Sequence, residues 1–481
     1  MSSDTPILPC LDFSSIEIHP SSSSAHPLDS PSFDIPSSIL QHLQTASNHL
    51  HNHETVALPT ETVYGLAASS LDSEACKAIY RIKNRPADNP LIIHVSSLDM
   101  LRTLLPNKYE ISELYMELIT SFWPGPLSLL FPSINRPPLP APQTNAIRMP
   151  SHPLSLALIH YSNLPLSAPS ANSSGRPSPT KAEHVYNDLN KSKGLGCILD
   201  GGDCGVGVES TVINGLNWVK GGGGSVDILR PGGLGIERIK EIVDKVDGKE
   251  GLTEILLHGK PWKSNQKKSD GIPNGGTAIK GTSISGGKVK PVELSAPSTP
   301  GLKYRHYSPR VPVYLLQPNN IFPRPTNLPE EAESSSQAIL RQISRRVHSS
   351  HGKGKKRIGF LYYENSPLSE QITKSTIEQD EIQLIPLSLG IDSTSAAQRL
   401  FAGMLTLERI PPDDQIDKIG VDAIMIEGCS DAGLGLAVME RVSKAVGGGG
   451  ILGDVKDGQG EIGVKGESMD NTFWVDLASR I

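Results

Sequence analysis

The sequence predicts an α/β protein of two units: a mixed-sheet domain over residues 35–246 and a smaller Rossmann-like domain over 311–481. Three observations carry this. Through the first half, short apolar runs of strand type alternate irregularly with short helical patterns, as in a mixed sheet. From about 247 to 300 the chain turns to Lys, Ser and Gly with little apolar periodicity, the composition of a linker. Beyond 311, strand and helix alternate regularly, which argues a small parallel sheet.

The 481 residues suffice for two or three cores. Pro (39) and Gly (45) are in excess, but only locally, so they mark turns and linkers rather than a disordered chain. A net charge of −6 argues against a dedicated nucleic-acid binder and allows a local basic patch. Five scattered cysteines (Cys10, Cys76, Cys197, Cys204, Cys429), with no C-x-x-C, fit reduced thiols and offer no zinc framework. The first fifty residues carry Asp4, Asp12, Glu17, Asp29 and Asp34 but no Lys or Arg, the reverse of a mitochondrial presequence, and hold no apolar signal core. No run is long enough to span a bilayer. The expectation is a cytoplasmic protein without a membrane segment.

In chain order, residues 1–34, rich in Ser, Pro and His, are expected to be a flexible lead-in. Ile39, Leu40 and Leu43 open a helical pattern that leads to the strand Val56–Leu58 and the turn Pro59-Thr60-Glu61-Thr62. Ala75, Ala78, Ile79 and Ile82 then share one helical face, with Asp72 as N-cap and Glu74 at the positive end. Pro86 stops this helix, so Lys83 and Arg85 project from its last turn. A buried strand, Leu91–Ile93, delivers His94, and a short strand stopped by Pro150 carries Arg148. Pro153 opens a helix, and the loop 167–179 is nearly all Ser, Pro, Ala, Asn and Gly. Thr180 and Glu183 read as a capping box, Glu209–Asn214 as a strand, and Gly221–Gly224 as an insertion tolerated between strands. In the second unit, strands are expected at Val311–Leu316, Arg357–Tyr362 and Ala423–Glu427, with helices near 332–347, 396–408 and 434–446. Gly433-Leu434-Gly435 reads as a tight strand-to-helix turn rather than a nucleotide loop.

The chemistry-bearing residues suggest an anion. Lys83 offers a point charge and Arg85 a planar fork, while a loop such as Ser167–Gly175 supplies hydroxyls, an amide and open backbone N–H groups. Arg148 suits a carboxylate clamp, and a structural ion pair equally well. The competing readings of the others are plain: Lys83 and Arg85 as charges complementing a helix end, His94 as a core histidine, Ser210 as ordinary strand polarity. No Walker A or kinase signature occurs. Residue chemistry by itself ends at an α/β domain that handles an anion.

Beyond that, LPTETVYGL, KNRPADNPLIIHV, AIRMP, LSAPSANSSGRPSPT, ESTVIN and ILRPGGLG, in this order and spacing, resemble the threonylcarbamoyl-AMP synthases. The set Lys83, Arg85, Ser170 and Asn172 matches that family's signature, and KYRHYSP followed by a Rossmann-like tail is similar to its longer two-domain form. The resemblance implies a YrdC-like twisted sheet with a large positively charged concavity. It implies condensation of L-threonine, bicarbonate and ATP to threonylcarbamoyl-AMP with loss of pyrophosphate. A partner complex would then transfer the threonylcarbamoyl group to tRNAs that read ANN codons. By motif, Thr62, His94, Arg148 and Ser210 would face threonine. Arg85, Asn89, Thr144, Ser170, Asn172, Ser178 and Arg230 would face ATP, with Lys83 at the phosphates and Tyr307, or less favourably Tyr304, reaching in from the linker (247–310). Lys83 and Arg85 would carry the catalytic charge, and Mg2+ would come with ATP rather than on dedicated protein ligands. The glycine run and the long linker are the two departures from the family pattern. The related hydrogenase-maturation carbamoyltransferase would need zinc-finger cysteine pairs, which are absent. The different-class alternative is a double-stranded-RNA-binding protein without catalysis, and a weak RNA contact is compatible with either.

Overall fold

The computed structural model describes residues 4–22, 24–134, 144–221, 223–248, 252–262, 306–324, 334–347, 355–374, 382–409, 420–447 and 471–477. The first unit is built on one twelve-stranded sheet. Its strands run, side by side, Ile7–Pro9, Leu195–Asp200, Thr55–Leu58, Gly65–Ser69, Leu166–Ser167, Ile92–His94, Thr144–Arg148, Leu127–Pro132, Thr211–Asn214, Ser225–Arg230, Glu254–Leu257 and Lys260–Pro261. Parallel and antiparallel pairs mix, as expected: Ile92–His94 runs parallel to Thr144–Arg148 and antiparallel to Leu166–Ser167. That register sets His94 directly beside Arg148.

The helix preceding this centre forms as its sequence dictates. It spans Ser73–Lys83, and the Asp72 side chain accepts from the N–H groups of Glu74 (2.8 Å) and Ala75 (3.3 Å). Ala75, Cys76, Ala78 and Ile79 are buried on its inner face, and Asn84 closes it in the left-handed conformation at φ 48°. The capping box expected at Thr180 and Glu183 does not form. The helix starts later, at Ala182, because the Thr180 N–H is already met by His184 Nδ1 (3.2 Å).

Two boundaries differ from the sequence reading. The segment 1–34, expected to be a flexible lead-in, contributes the edge strand Ile7–Pro9, paired parallel to Leu195–Asp200, and a hairpin of Glu17–His19 with Ser32–Asp34. Its Ser/Pro-rich composition hides a set of apolar anchors. Cys10 and Ile16 are buried, and Leu8, Phe13, Ile18 and Phe33 pack against the same core cluster as the helices Ser37–His51 and Pro153–Ser162. The sheet also runs past residue 246, since Glu254–Leu257 pairs with Ser225–Arg230 and then with Lys260–Pro261. A three-residue apolar run, Ile255, Leu256 and Leu257, was too short to stand out against the linker composition around it.

The second unit is a five-stranded, all-parallel sheet ordered Ile382–Gly390, Lys356–Tyr363, Ala423–Glu427, Val313–Pro318 and Thr472–Val475. Helices Ser336–Arg346, Pro367–Lys374, Ser393–Leu407 and Gly435–Val446 alternate with the strands, as the sequence predicts. Gly435 is a packing glycine, since a Cβ there would meet the Ser430 carbonyl oxygen at 1.8 Å, in keeping with a tight turn. The helices Ser393–Leu407 and Gly435–Val446 dock on the first unit, where Val63, Val208 and Tyr307 join one apolar cluster with Phe401, Met404 and Val438. Gly207 makes the approach possible: its φ is +78°, and a Cβ would lie 2.4 Å from Gln398 Cα.

A chain that starts at Ile35 should therefore be less stable, not merely shorter. Losing the buried Cys10 and Ile16 alone removes about 3 kcal/mol of apolar burial. Thermal melting should fall by roughly 5–10 °C for a unit of this size; an unchanged melting temperature would show that the segment lies on the core without contributing to it.

Candidate functional site

The elements that flank His94 line a cavity that opens to solvent, about 740 Å³ with the solvent at its mouth included. Its wall is assembled from the turn after Thr55–Leu58, the end of the helix Ser73–Lys83, the strand pair bearing His94 and Arg148, and the loop Ala168–Ser178. Glu209, Ser210, Arg230, His306 and Tyr307 complete it. Among the residues singled out from sequence, Thr62, Lys83, Arg85, His94, Arg148, Ser170, Asn172, Ser178, Ser210, Arg230 and Tyr307 all line this wall. Asn89 and Thr144 do not. Asn89 is buried behind Arg85, and Thr144 opens the strand that ends at Arg148, about 13 Å away at the usual rise per residue. Tyr304 lies outside the described residues.

At one end, Arg148 is held by four partners. Nε donates to His94 Nε2 (2.9 Å), Nη2 to Thr62 Oγ1 (3.1 Å), and Nη1 to Glu61 Oε1 (2.5 Å) and the Gly125 carbonyl (3.5 Å). Thr62 is itself fixed by a turn in which Thr60 Oγ1 contacts Thr62 Oγ1 (2.7 Å) and donates to the Val63 carbonyl (2.7 Å). Because Arg148 donates to His94 Nε2, the ring's proton sits on Nδ1, which reaches the Ile92 carbonyl at 3.2 Å. Burial, and then the Arg148 charge, push the His94 pKa well below its ordinary value. His94 is thus a neutral acceptor that aims the guanidinium.

The other end gathers cations. Arg85 is anchored on the turn beyond its helix: Nε donates to the Asn89 carbonyl (3.0 Å) and Nη2 to Asn89 Oδ1 (2.8 Å) and the Pro90 carbonyl (2.7 Å). Burial lowers its pKa to about 10. Lys83 Nζ donates to the carbonyls of Ser170 and Asn172 (2.5 Å to the latter), and the Ser174 N–H returns a bond to the Lys83 carbonyl (2.7 Å). Lys83 therefore fastens the Ser170–Ser174 loop to the helix end, and burial, with Arg85 nearby, drives its pKa well down. Arg230 clasps the Ser210 carbonyl through Nε (3.1 Å) and Nη2 (2.8 Å).

Sequence reasoning overlooked Glu209, Arg176 and His306, all in this wall, and Glu61, which touches it through Arg148. Glu209 Oε1 accepts from Ser178 Oγ (2.5 Å) and Oε2 from Arg441 Nε (2.7 Å). Burial pushes this carboxyl up, but Arg441, Arg230 and the Ser178 hydroxyl outweigh it and hold its pKa at about 2. Arg176 forks onto Glu408 with bonds of 2.7 and 2.6 Å. Both partners come from the second unit, so no local pattern announces either residue. His306 has its pKa lowered to about 4, chiefly by burial and next by Lys444. Tyr307 stacks on Phe401 (5.2 Å between centroids) and lies under the Arg441 guanidinium (5.6 Å), so it is at once a cavity wall and a contact between the units.

The geometry at His94 has a direct spectroscopic consequence. The ring should remain the neutral Nδ1–H tautomer from pH 8 down to pH 5, as followed by nitrogen-15 NMR of labelled histidine. A titration centred near the ordinary histidine value would contradict the Arg148–His94 hydrogen bond.

Residues 48–232 match a family model described as "Telomere recombination" (Sua5_yciO_yrdC), and residues 262–447 match one described as "Threonylcarbamoyl-AMP synthase, C-terminal domain". A threonylcarbamoyl-AMP synthase of Schizosaccharomyces pombe is 37% identical over 454 residues, 89% of this chain and 93% of that protein. One from Pyrococcus abyssi is 34% identical over 84% of this chain and 94% of that protein. Among solved structures, P. abyssi Sua5 complexed with L-threonine matches with a TM-score of 0.57 at 34% identity, covering 85% of this chain and 95% of that one. With both units matched in order and a relative aligned over nearly its whole length, the chain belongs to the threonylcarbamoyl-AMP synthase family, as a two-domain member with a YrdC-like first domain.

Proposed function

We propose that this enzyme is a nucleotidyltransferase that condenses L-threonine, bicarbonate and ATP to threonylcarbamoyl-AMP and pyrophosphate. The observation that carries the reading is a single cavity with two differently equipped ends. Arg148, aimed by His94 and Thr62, suits the amino-acid carboxylate, and the L-threonine complex of P. abyssi Sua5 supports an amino-acid site in this fold. Arg85, Arg230 and the hydroxyl-rich loop fastened by Lys83 suit a nucleotide triphosphate.

The neutral threonine amine attacks the carbon of CO2, its proton passing to solvent, or that of bicarbonate, its proton leaving with the expelled hydroxide as water, and a carbamate forms. A carbamate oxygen then attacks the α-phosphorus, the bond to the β-phosphate oxygen breaks, and pyrophosphate leaves with the electron pair. Among the described residues of the wall none stands out as a general base: His94 is committed to Arg148, Glu209 and Glu61 are ion-paired, and burial holds the His306 pKa at about 4, too weak a base near neutral pH. Catalysis in this reading rests on positioning and on cations facing the charge that builds on the leaving pyrophosphate. The same commitment of both carboxylates fits Mg2+ carried by the phosphates rather than by a protein cage. The product would pass to a threonylcarbamoyl-transferase complex acting on tRNAs that read ANN codons, in the cytoplasm; a weak direct RNA contact is part of the same proposal. Among the described residues no helix is long and apolar enough to cross a membrane.

The deciding experiment is pyrophosphate release, expected only when both threonine and bicarbonate accompany MgATP. Salt-sensitive RNA binding with no turnover would instead favour the double-stranded-RNA-binding alternative. Within the reading, Arg85→Ala should abolish synthesis and Arg85→Lys should lose most of it, because the planar fork is needed both for the Asn89 anchor and for phosphate. Near-normal turnover of the lysine variant would remove that role. Arg148→Ala should weaken threonine by roughly tenfold or more while moving the ATP requirement far less. Equal losses for both substrates would assign Arg148 to structure alone.

A further inference from the structure

The nucleotide end of the cavity contains one carboxylate that ought not to be there. Glu209 stands in a wall that also presents Lys83, Arg85 and Arg230. An ionised carboxylate facing a polyanion repels it, and Glu209 is ionised. Its charge is cancelled from outside the first unit. Arg441, on the helix Gly435–Val446, reaches across the junction and donates Nε to Glu209 Oε2 at 2.7 Å. Nη1 donates to the carbonyls of Pro231 (3.0 Å) and Ala437 (2.9 Å), the guanidinium carbon lies 5.6 Å from the centre of the Tyr307 ring, and Nη2 is buried without a hydrogen-bond partner among the described residues. Arg441 is 1% exposed and does not itself line the cavity, so it touches no bound molecule directly. Every contact it makes across the junction falls on, or next to, a wall residue: Glu209, Tyr307, and Pro231 beside Arg230.

We propose that Arg441 is a positioning residue for the nucleotide half of the site, neutralising Glu209 so that Arg230 stays available to phosphate. The proposal rests on the reading of this cavity as an ATP site. Without Arg441, Glu209 keeps its charge, and the strongest remaining cationic influence on it is Arg230. Drawing Arg230 toward Glu209 takes a cation from the phosphates, and the unpaired carboxylate adds repulsion in a desolvated place. At the threonine end, Arg148, Thr62 and His94 contact none of these groups, and Ser210, clasped by Arg230, is where the two ends meet, so the carboxylate contact at Arg148 should be spared. Met404, buried in the apolar cluster that joins the same two units and outside the cavity wall, serves as the control for mere loosening.

The test measures MgATP and L-threonine binding by calorimetry on the full chain, together with melting temperature, for Arg441→Met, the double variant Arg441→Met/Glu209→Gln, and Met404→Ala. Arg441→Met should weaken MgATP by roughly tenfold or more and leave threonine within about twofold. The double variant, which removes the stranded charge, should recover most of the MgATP affinity although it never restores the ion pair. Met404→Ala should lower the melting temperature without separating the two ligands. A double variant that folds yet binds MgATP roughly tenfold or more weakly than the wild type overturns the proposal, and this outcome can be read even if Arg441→Met alone does not fold. So does an Arg441→Met chain with wild-type MgATP affinity. A wild-type chain that binds threonine but no MgATP would refute the ATP reading itself, a result distinguishable from either.

Discussion

Lys83, Arg148, Arg230 and Arg441 are taken almost wholly out of water, with exposures of 1, 2, 5 and 1%. A buried cation costs several kcal/mol unless carbonyls or carboxylates replace its water shell, and much of the architecture follows from supplying those replacements. Lys83 requires the Ser170–Asn172 loop to fold back onto a helix end about ninety residues earlier. Arg148 requires the turn at Glu61 and Thr62. Arg441 requires a carboxylate in the other unit. Each requirement ties together segments far apart in the chain, and each tie forms part of the same cavity wall.

That distance explains what the sequence made legible. Elements whose signals are local emerged cleanly: the Asp72-capped helix, the strand delivering His94, the alternation of the second unit. Most of the wall was also foreseeable, because its residues sit in motifs that resemble a known family. Glu209 sits inside one such motif, yet it drew no notice, since its importance depends on a partner 232 residues away. The N-terminal segment was misread for a different reason. Composition averages over thirty residues, whereas a strand of three residues and a handful of apolar anchors are enough to dock it.

The second unit is more than an appendage to this arrangement. Phe401 and Arg441 brace Tyr307 from behind, and Glu408 absorbs the charge of Arg176, so the back of the cavity is a surface shared by both units. At Gly207 the two backbones meet with no side chain between them. A junction packed at that distance has little room to slide. Relative movement of the units would have to break ion pairs as well as shear the apolar cluster they share.

The two rims of the large sheet have a consequence for how the molecule behaves in a crowd. An open sheet of this width, unlike a closed barrel, leaves two ladders of unpaired N–H and C=O groups that invite another chain to add on. Among the described residues, one rim is the three-residue strand Ile7–Pro9 and the other the two-residue strand Lys260–Pro261. Both are very short and both end in proline, which has no N–H to donate; one adds a lysine. The longer strands that would make good templates, Leu195–Asp200 and Glu254–Leu257, lie one place inward, capped by these stubs. The hairpin-bearing N-terminal segment thus acts as a guard against aggregation as well as a piece of the core.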